Sequence, residues 1–222
     1  IDLASSDPAG SREFYATLFG WQIEVDPDPQ YGGYAMAKAA GKEVAGIGPK
    51  MMPEAPTAWS LYIGTEDAEE LGRKIEKAGG KIIAPAFDVG DQGRMAVFQD
   101  PSGAYISGWQ PAQMASFNMG GPNQFGWAEL SARGIDKAVK FYGEVFGWGD
   151  HEAPMGEGQP PYHEFQLDGK RIAGGMEMPE MVPAETPSYW LVYFNVEDVD
   201  GAYEKAKAAG ARDDDADRRL EL

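Results

Sequence analysis

The chain contains no cysteine. That absence removes disulfides, thiolate nucleophiles and every zinc site built on thiolates. Histidine is almost as scarce, with only His151 and His163 present. Basic residues are outnumbered 36 to 19 by acidic ones, which leaves a formal charge of -17. A surface so negative repels nucleic-acid phosphates and anionic membranes, so neither is expected as a partner. No run approaches the roughly 18 apolar residues that a membrane-spanning helix needs. The first residues read as a strand and show no signal-peptide pattern, and a cytoplasmic location is the expectation.

What the chain does contain is enough apolar material for a core. Hydrophobic residues make up 43% and aromatics 12% of the 222 residues, which is the composition of a globular protein. It also contains a repeat. Phe14 to Trp21 reads FYATLFGW and Phe141 to Trp148 reads FYGEVFGW. Each follows a strand-like run, IDLAS from Ile1 and WAELSA from Trp127. In each copy an amphipathic helix buries Phe and Leu or Val, and Gly stops it before a strand begins at Trp. A second pair keeps similar spacing, SLYIGTEDAEELGRKIEKAGGKI from Ser60 and LVYFNVEDVDGAYEKAKAAGARD from Leu191. Two matched segments make this an internal duplication.

Read in order, the first unit predicts a strand over 1–5 and a helix opened by Ser6-Asp7-Pro8 and closing near Phe19. Strands over 21–25, 34–38 and 44–48 follow. The second unit repeats that order. It has a strand over 59–63, a helix capped by Thr65 and ending at Gly79-Gly80, and strands over 81–87, 94–99 and 104–110. The last two are joined by the turn Asp100-Pro101-Ser102-Gly103. Residues 112–124 read as a linker between a first domain, 1–111, and a second, 125–222. The fourth unit keeps its strand and helix, but RDDDADRRLEL holds no counterpart of DPSGAYISGWQ. Its closing strands are therefore expected to be missing or replaced, and the acidic run DDDAD to be solvated. A sheet edge left open there would call for cover by the tail, by dimerisation or by domain exchange.

Four βαβββ units, with FYxxxFGW after the first strand and DPxG before the last, resemble the vicinal oxygen chelate superfamily. That group includes glyoxalases, bleomycin-resistance proteins and extradiol dioxygenases. The chain is most similar to bacterial two-domain glyoxalase-like proteins, some described as hydroxylases. The resemblance implies an α+β fold of tandem βαβββ units forming two half-open barrel domains, with the last unit incomplete. It also implies a divalent metal held by His, Glu or Gln in each concave face. The positions it assigns to those ligands in this chain are Ser60, Ser107, Trp127 and Leu191. None is a good metal ligand, so no cofactor and no metal are expected there. The superfamily hosts unrelated chemistries, so the fold does not name the function.

Strand alternation predicts which side chains face away from the helices. On the first strand of each half these are Asp2 and, in the second copy, Trp127, Glu129 and Ser131. On the other strands they are Ser60, Tyr62, Tyr105, Ser107, Trp109, Leu191, Tyr193 and Asn195. Asp2 and Glu129 occupy equivalent places and are the candidate acid/base or hydrogen-bonding carboxylates. The aromatic set Tyr62, Trp109, Trp127 and Tyr193 could stack a flat organic ligand or simply fill core. His163, beside the loop GEGQPP and expected at a cleft rim, is a further ligand-binding candidate, while His151 reads as exposed and Trp21 and Trp148 as packing residues.

Three functions stay open on this reading. The first is metal-free binding of a small, partly aromatic molecule, as in a resistance or sequestering protein. The second is an enzyme, a lyase, isomerase or hydroxylase, working through Asp2 or Glu129 or an unrecognised metal site. The third is a scaffold for protein partners.

Overall fold

The structure, a computed structural model, describes residues 1–114, 116–214 and 219–221. The elements run β1 (Asp2–Ser5), α1 (Pro8–Phe19), β2 (Gln22–Val25), β3 (Ala35–Ala39) and β4 (Lys42–Pro49). Next come β5 (Ala58–Ser60), β6 (Tyr62–Gly64), α2 (Ala68–Lys77), β7 (Lys81–Val89), β8 (Gly93–Gln99) and β9 (Tyr105–Pro111). The second half gives β10 (Phe125–Ala132), α3 (Ile135–Phe146), β11 (Gly149–Ala153), β12 (Tyr162–Leu167) and β13 (Lys170–Glu177). Then β14 (Tyr189–Phe194), α4 (Val199–Ala208), β15 (Arg212–Asp214) and β16 (Arg219–Glu221) complete the order. This is the α+β architecture of repeated βαβββ units.

Three larger sheets carry the fold, ordered β2-β3-β4-β1-β5, β6-β9-β8-β7 and β11-β12-β13-β10-β14. β15 and β16 form a short antiparallel ribbon of their own. Ribbon strands therefore stand in the tail where the sequence suggests missing or replaced ones. The run Asp213 to Asp217, expected to be solvated, lies outside the residues whose side chains are described. The strand expected over 59–63 is broken at Leu61. Its first part, β5, joins the β1 sheet, and its second part, β6, runs parallel to β9.

Chain compactness groups the repeats otherwise than their order does. One unit comprises residues 1–59, 117–126 and 194–222, and the other 60–116 and 127–193. The first unit thus combines the first repeat with the helix of the fourth, and the second unit combines the second repeat with the third.

The helix ends follow local chemistry. Asp7 caps α1 by accepting from the Gly10 amide, and Gly20 closes the helix in the left-handed conformation, which an L side chain reaches only at a cost. The cap of α2 is Asp67, which accepts from the amides of Glu69 and Glu70, and not Thr65. The Thr65 hydroxyl accepts from the Asp67 amide one step earlier. At α3 the N-cap is Gly134, which has no side chain to offer. The Glu177 carboxylate on β13 replaces one, accepting from the amides of Gly134 and Ile135.

Each unit is built around the tyrosine of its FYxxxFGW copy. In the first unit Tyr15 packs against Phe19, Trp21, Trp59 and Phe194, and its hydroxyl accepts from the Trp59 indole. In the second, Tyr142 packs against Trp148, Phe165 and Trp190, and its hydroxyl accepts from the Trp190 indole. Tyr142 also donates to Asp100 at 2.9 Å. That aspartate is itself buried, and its other oxygen takes hydrogen bonds from three amides and a hydroxyl within its own turn. The DPSG turn is therefore both a hairpin and an anchor for α3.

Candidate functional site

Strand register in the sheet of β10 to β14 sorts its side chains onto two faces. β10 runs parallel to β13 with Glu129 opposite Gly174 and Leu130 opposite Gly175. β12 runs antiparallel to β13 with Glu164 opposite Gly174 and His163 opposite Gly175. Leu130, Gly175, His163 and Phe165 thus share the face that packs under α3, where Phe165 meets Tyr142. Trp127, Glu129, Tyr162, Glu164 and Tyr193 share the opposite face.

On that opposite face four side chains form a hydrogen-bonded web. The Trp127 indole donates to the Tyr162 hydroxyl at 3.1 Å. Tyr162 donates to Glu129 Oε2 at 2.9 Å, and Tyr193 donates to Glu129 Oε1 at 3.0 Å. Both oxygens of one carboxylate are held by phenols, so the group is fixed in orientation while two aromatic rings and an indole flank it. Removal from water, with the nearby Glu129 charge, pushes the Tyr162 phenol up to about 12. Gly174 makes the arrangement possible, because a Cβ there would coincide with the Tyr162 hydroxyl.

The first sheet carries the same device in a looser form. Asp2 lies opposite Gly46, and a Cβ on Gly46 would again coincide with a tyrosine hydroxyl, that of Tyr34. Tyr34 donates to Asp2 over a long 3.5 Å. Burial, and then the Asp2 charge, hold its phenol well above the ordinary value.

The remaining candidates divide. Tyr62, Ser107 and Trp109 share one face of the β6-β9-β8-β7 sheet, with Tyr62 opposite Ser107 and the Tyr62 and Trp109 rings edge to face at 6.3 Å. The Trp109 indole is committed to the Met114 carbonyl. Ser107 is buried, Tyr105 is exposed at the sheet's start and Ser60 ends β5 half-buried. Ser131 is buried on β10.

Two placements differ from the sequence reading. His163 is not at an open rim. It lies on the α3 side of its strand, 2% exposed, with Nδ1 3.0 Å from Asp150 Oδ2. Asn195 lies beyond the end of β14. Its side chain donates to the Gly120 carbonyl and its amide to the Gln124 carbonyl, so it tethers residues 117–126 within the first unit.

Tyr162 and Tyr193 complete Glu129, yet only Tyr193 stands out in the sequence as a candidate. The signal for Tyr162 is its match to Tyr34 across the repeat, each followed by a small-residue strand containing the glycine that makes room for it. Two surface depressions, of about 370 and 350 Å³, lie elsewhere. One is lined by the C-terminal end of α2 and one side of α3, the other by residues of α1 and α4.

The metal that the resemblance implies does not fit the residues assigned to it. Two serine hydroxyls, an indole and a leucine side chain do not make the nitrogen and carboxylate donor set of a divalent first-row ion.

The fold defines a protein built of repeated βαβββ units. A family model described as Glyoxalase/Bleomycin resistance protein/Dioxygenase superfamily matches residues 1–107 and 124–219, and the chain belongs to that superfamily. It is 36% identical over 220 residues to "Putative glyoxylase CFP32" of Mycobacterium tuberculosis, covering 96% of this chain and 82% of that protein. It is 34% identical over 226 residues to the anthracycline biosynthesis protein DnrV of Streptomyces peucetius, covering 95% and 80%. Among solved structures, it is similar to the Mn(II)-bound glyoxalase from Novosphingobium aromaticivorans. That likeness has a TM-score of 0.62 at 17% identity and covers 95% of this chain and 69% of the other. The 2,3-dioxygenase LapB from Pseudomonas sp. KL28 gives a TM-score of 0.59 at 17% identity, covering 94% and 75%. At such identities the structural likeness speaks to the fold alone.

Proposed function

We propose that the chain binds a small, planar, hydroxylated aromatic molecule on the β10–β14 face, with Glu129 as the polar anchor. The observation that carries this is the clamped carboxylate. A glutamate whose two oxygens are held by Tyr162 and Tyr193, beside the Trp127 indole, presents fixed acceptors within an aromatic surround. That pairing of flat apolar surface with a few placed polar groups is what small organic ligands select. A phenolic hydroxyl would bond the carboxylate while its ring stacks on tyrosine or tryptophan. The 34% identical relative named for anthracycline biosynthesis supports a fused aromatic ligand.

The test is calorimetric titration with a dihydroxyanthraquinone. The native chain should bind saturably, with Glu129→Gln at least tenfold weaker and Tyr62→Phe, on another sheet, unchanged. Equal binding by the native chain and Glu129→Gln would remove the anchor from the account.

The enzyme reading has one observation behind it. Tyr162 lies between an indole donor and a carboxylate acceptor, an arrangement able to relay a proton to or from a ligand. Relatives named as glyoxylases point the same way. Product analysis after prolonged incubation separates the two, since a binder returns the ligand unchanged. Conversion lost in Tyr162→Phe with binding retained would establish the enzyme.

A further inference from the structure

The helix-side face of the same sheet holds a second cluster, which the Glu129 web does not touch. β11 and β12 run antiparallel with Glu152 opposite His163 and Asp150 opposite Phe165. Asp150, Glu152 and His163 therefore project to one side, and one donor atom from each lies within 4.8 Å of the other two. Donors that share an ion at about 2.0–2.2 Å lie about 3–4 Å apart, so rotation of the two carboxylates closes the set. The imidazole comes from the buried side, at 2% exposure, while Asp150 and Glu152 stand at the exposed edge strand. A buried nitrogen donor with two solvent-facing oxygen donors leaves further coordination positions open to water.

The repeat supplies an internal comparison. In the first copy β2 and β3 pair in the same way, with Val25 opposite Ala35 and Ile23 opposite Ala37. Counting from Trp21 and Trp148, Ile23 corresponds to Asp150 and Val25 to Glu152, and Ala35 follows Tyr34 as His163 follows Tyr162. Where the first copy has three apolar residues, the second has three metal-ligand types. The fold itself does not require polar groups at these positions, since Ala35 is completely buried without one. Burying a histidine at the matching place costs stability unless a specific interaction offsets it.

We propose that Asp150, Glu152 and His163 form a binding site for a divalent first-row transition metal. The mixed imidazole and carboxylate set suits zinc, cobalt, nickel or manganese better than magnesium or calcium. The site is distinct from any ligand site around Glu129, because strand alternation puts the two on opposite faces of one sheet. His151, between the two carboxylates in sequence, faces the other way, opposite Glu164.

The experiment titrates Co(II) into chelator-treated protein and reads visible d–d absorption, with Zn(II) as competitor. One equivalent per chain is expected, displaced by zinc. Glu152→Gln and Asp150→Asn, both at the exposed edge, should each weaken binding tenfold or more, and His151→Ala should leave it unchanged. A triple variant, Asp150→Ile, Glu152→Val and His163→Ala, copies the first repeat and should bind no metal. If that variant does not fold, the Glu152→Gln result decides. Absence of a saturable cobalt spectrum, binding that survives Glu152→Gln unchanged, or binding lost in His151→Ala alone would overturn the assignment.

Discussion

Tyr15 and Tyr142 occupy the same place in two copies of one motif, yet their hydroxyls carry different loads. Tyr15 accepts from Trp59, whereas Tyr142 accepts from Trp190 and also donates to the buried Asp100. Replacing Tyr142 by Phe leaves an indole N–H and a buried carboxylate oxygen without their partner. At about 1–3 kcal/mol for each group stranded, Tyr142→Phe should lose about 2–6 kcal/mol in urea unfolding and Tyr15→Phe only about 1–3. Equal losses would show that the Asp100 link adds nothing. Two raised phenols, Tyr142 and Tyr162, should also limit the fold at alkaline pH. Burial raises the Tyr142 phenol well above its ordinary value and Tyr162 to about 12. A raised folded-state value means that the folded chain holds its proton more tightly than the unfolded chain does. The stability so gained is complete below pH 10 and is lost as pH rises toward 12. Tyrosinate absorbance should therefore show a fraction that ionises only together with unfolding above pH 10. Complete ionisation at pH 10–11 with the circular dichroism intact would contradict this.

At the level of elements, glycine placement decides what the strands can present. Gly46 and Gly174 stand opposite Asp2 and Glu129, and each leaves the volume that a tyrosine hydroxyl fills. Gly174→Ala should displace Tyr162, break its bond to Glu129 and lower ligand affinity at least tenfold while the sheet stays folded. Titration alongside far-ultraviolet circular dichroism checks both halves of that statement, and unchanged affinity would contradict it. Much of this element pattern was legible in the sequence. The four repeats, most strand and helix bounds, and the outward places of Glu129, Trp127 and Tyr193 follow from periodicity 2 and from the FYxxxFGW copies. The break at Leu61 was not legible, because WSLYI alternates like a continuous strand while its two ends pair with different sheets. His163 was misplaced for a related reason. Its neighbours PPYHEF fix alternation but not which face is inner, and the register with Gly175 and Phe165 settles that only once the strands are paired. Asn195 reads as outward only if the alternation is carried one residue past Phe194, where its strand ends.

For the whole molecule, the sequence duplication has diverged in chemistry more than in frame. The first copy keeps a carboxylate, a tyrosine and a glycine as a loose pair over 3.5 Å, and the second tightens them with an indole and a further phenol. None of the helices described is long and apolar enough to cross a membrane, and the charge of -17 argues against polyanionic partners. The proposed ligand, a small neutral or weakly acidic aromatic molecule, is compatible with that charge. The most direct measurement is fluorescence titration with a dihydroxyanthraquinone, comparing the native chain with Trp127→Phe. Binding on the Glu129 face predicts saturable quenching in the native chain, with the part contributed by Trp127 absent from the variant. Saturable quenching identical in the two proteins would place the ligand elsewhere, and no saturation at all would contradict the binding account.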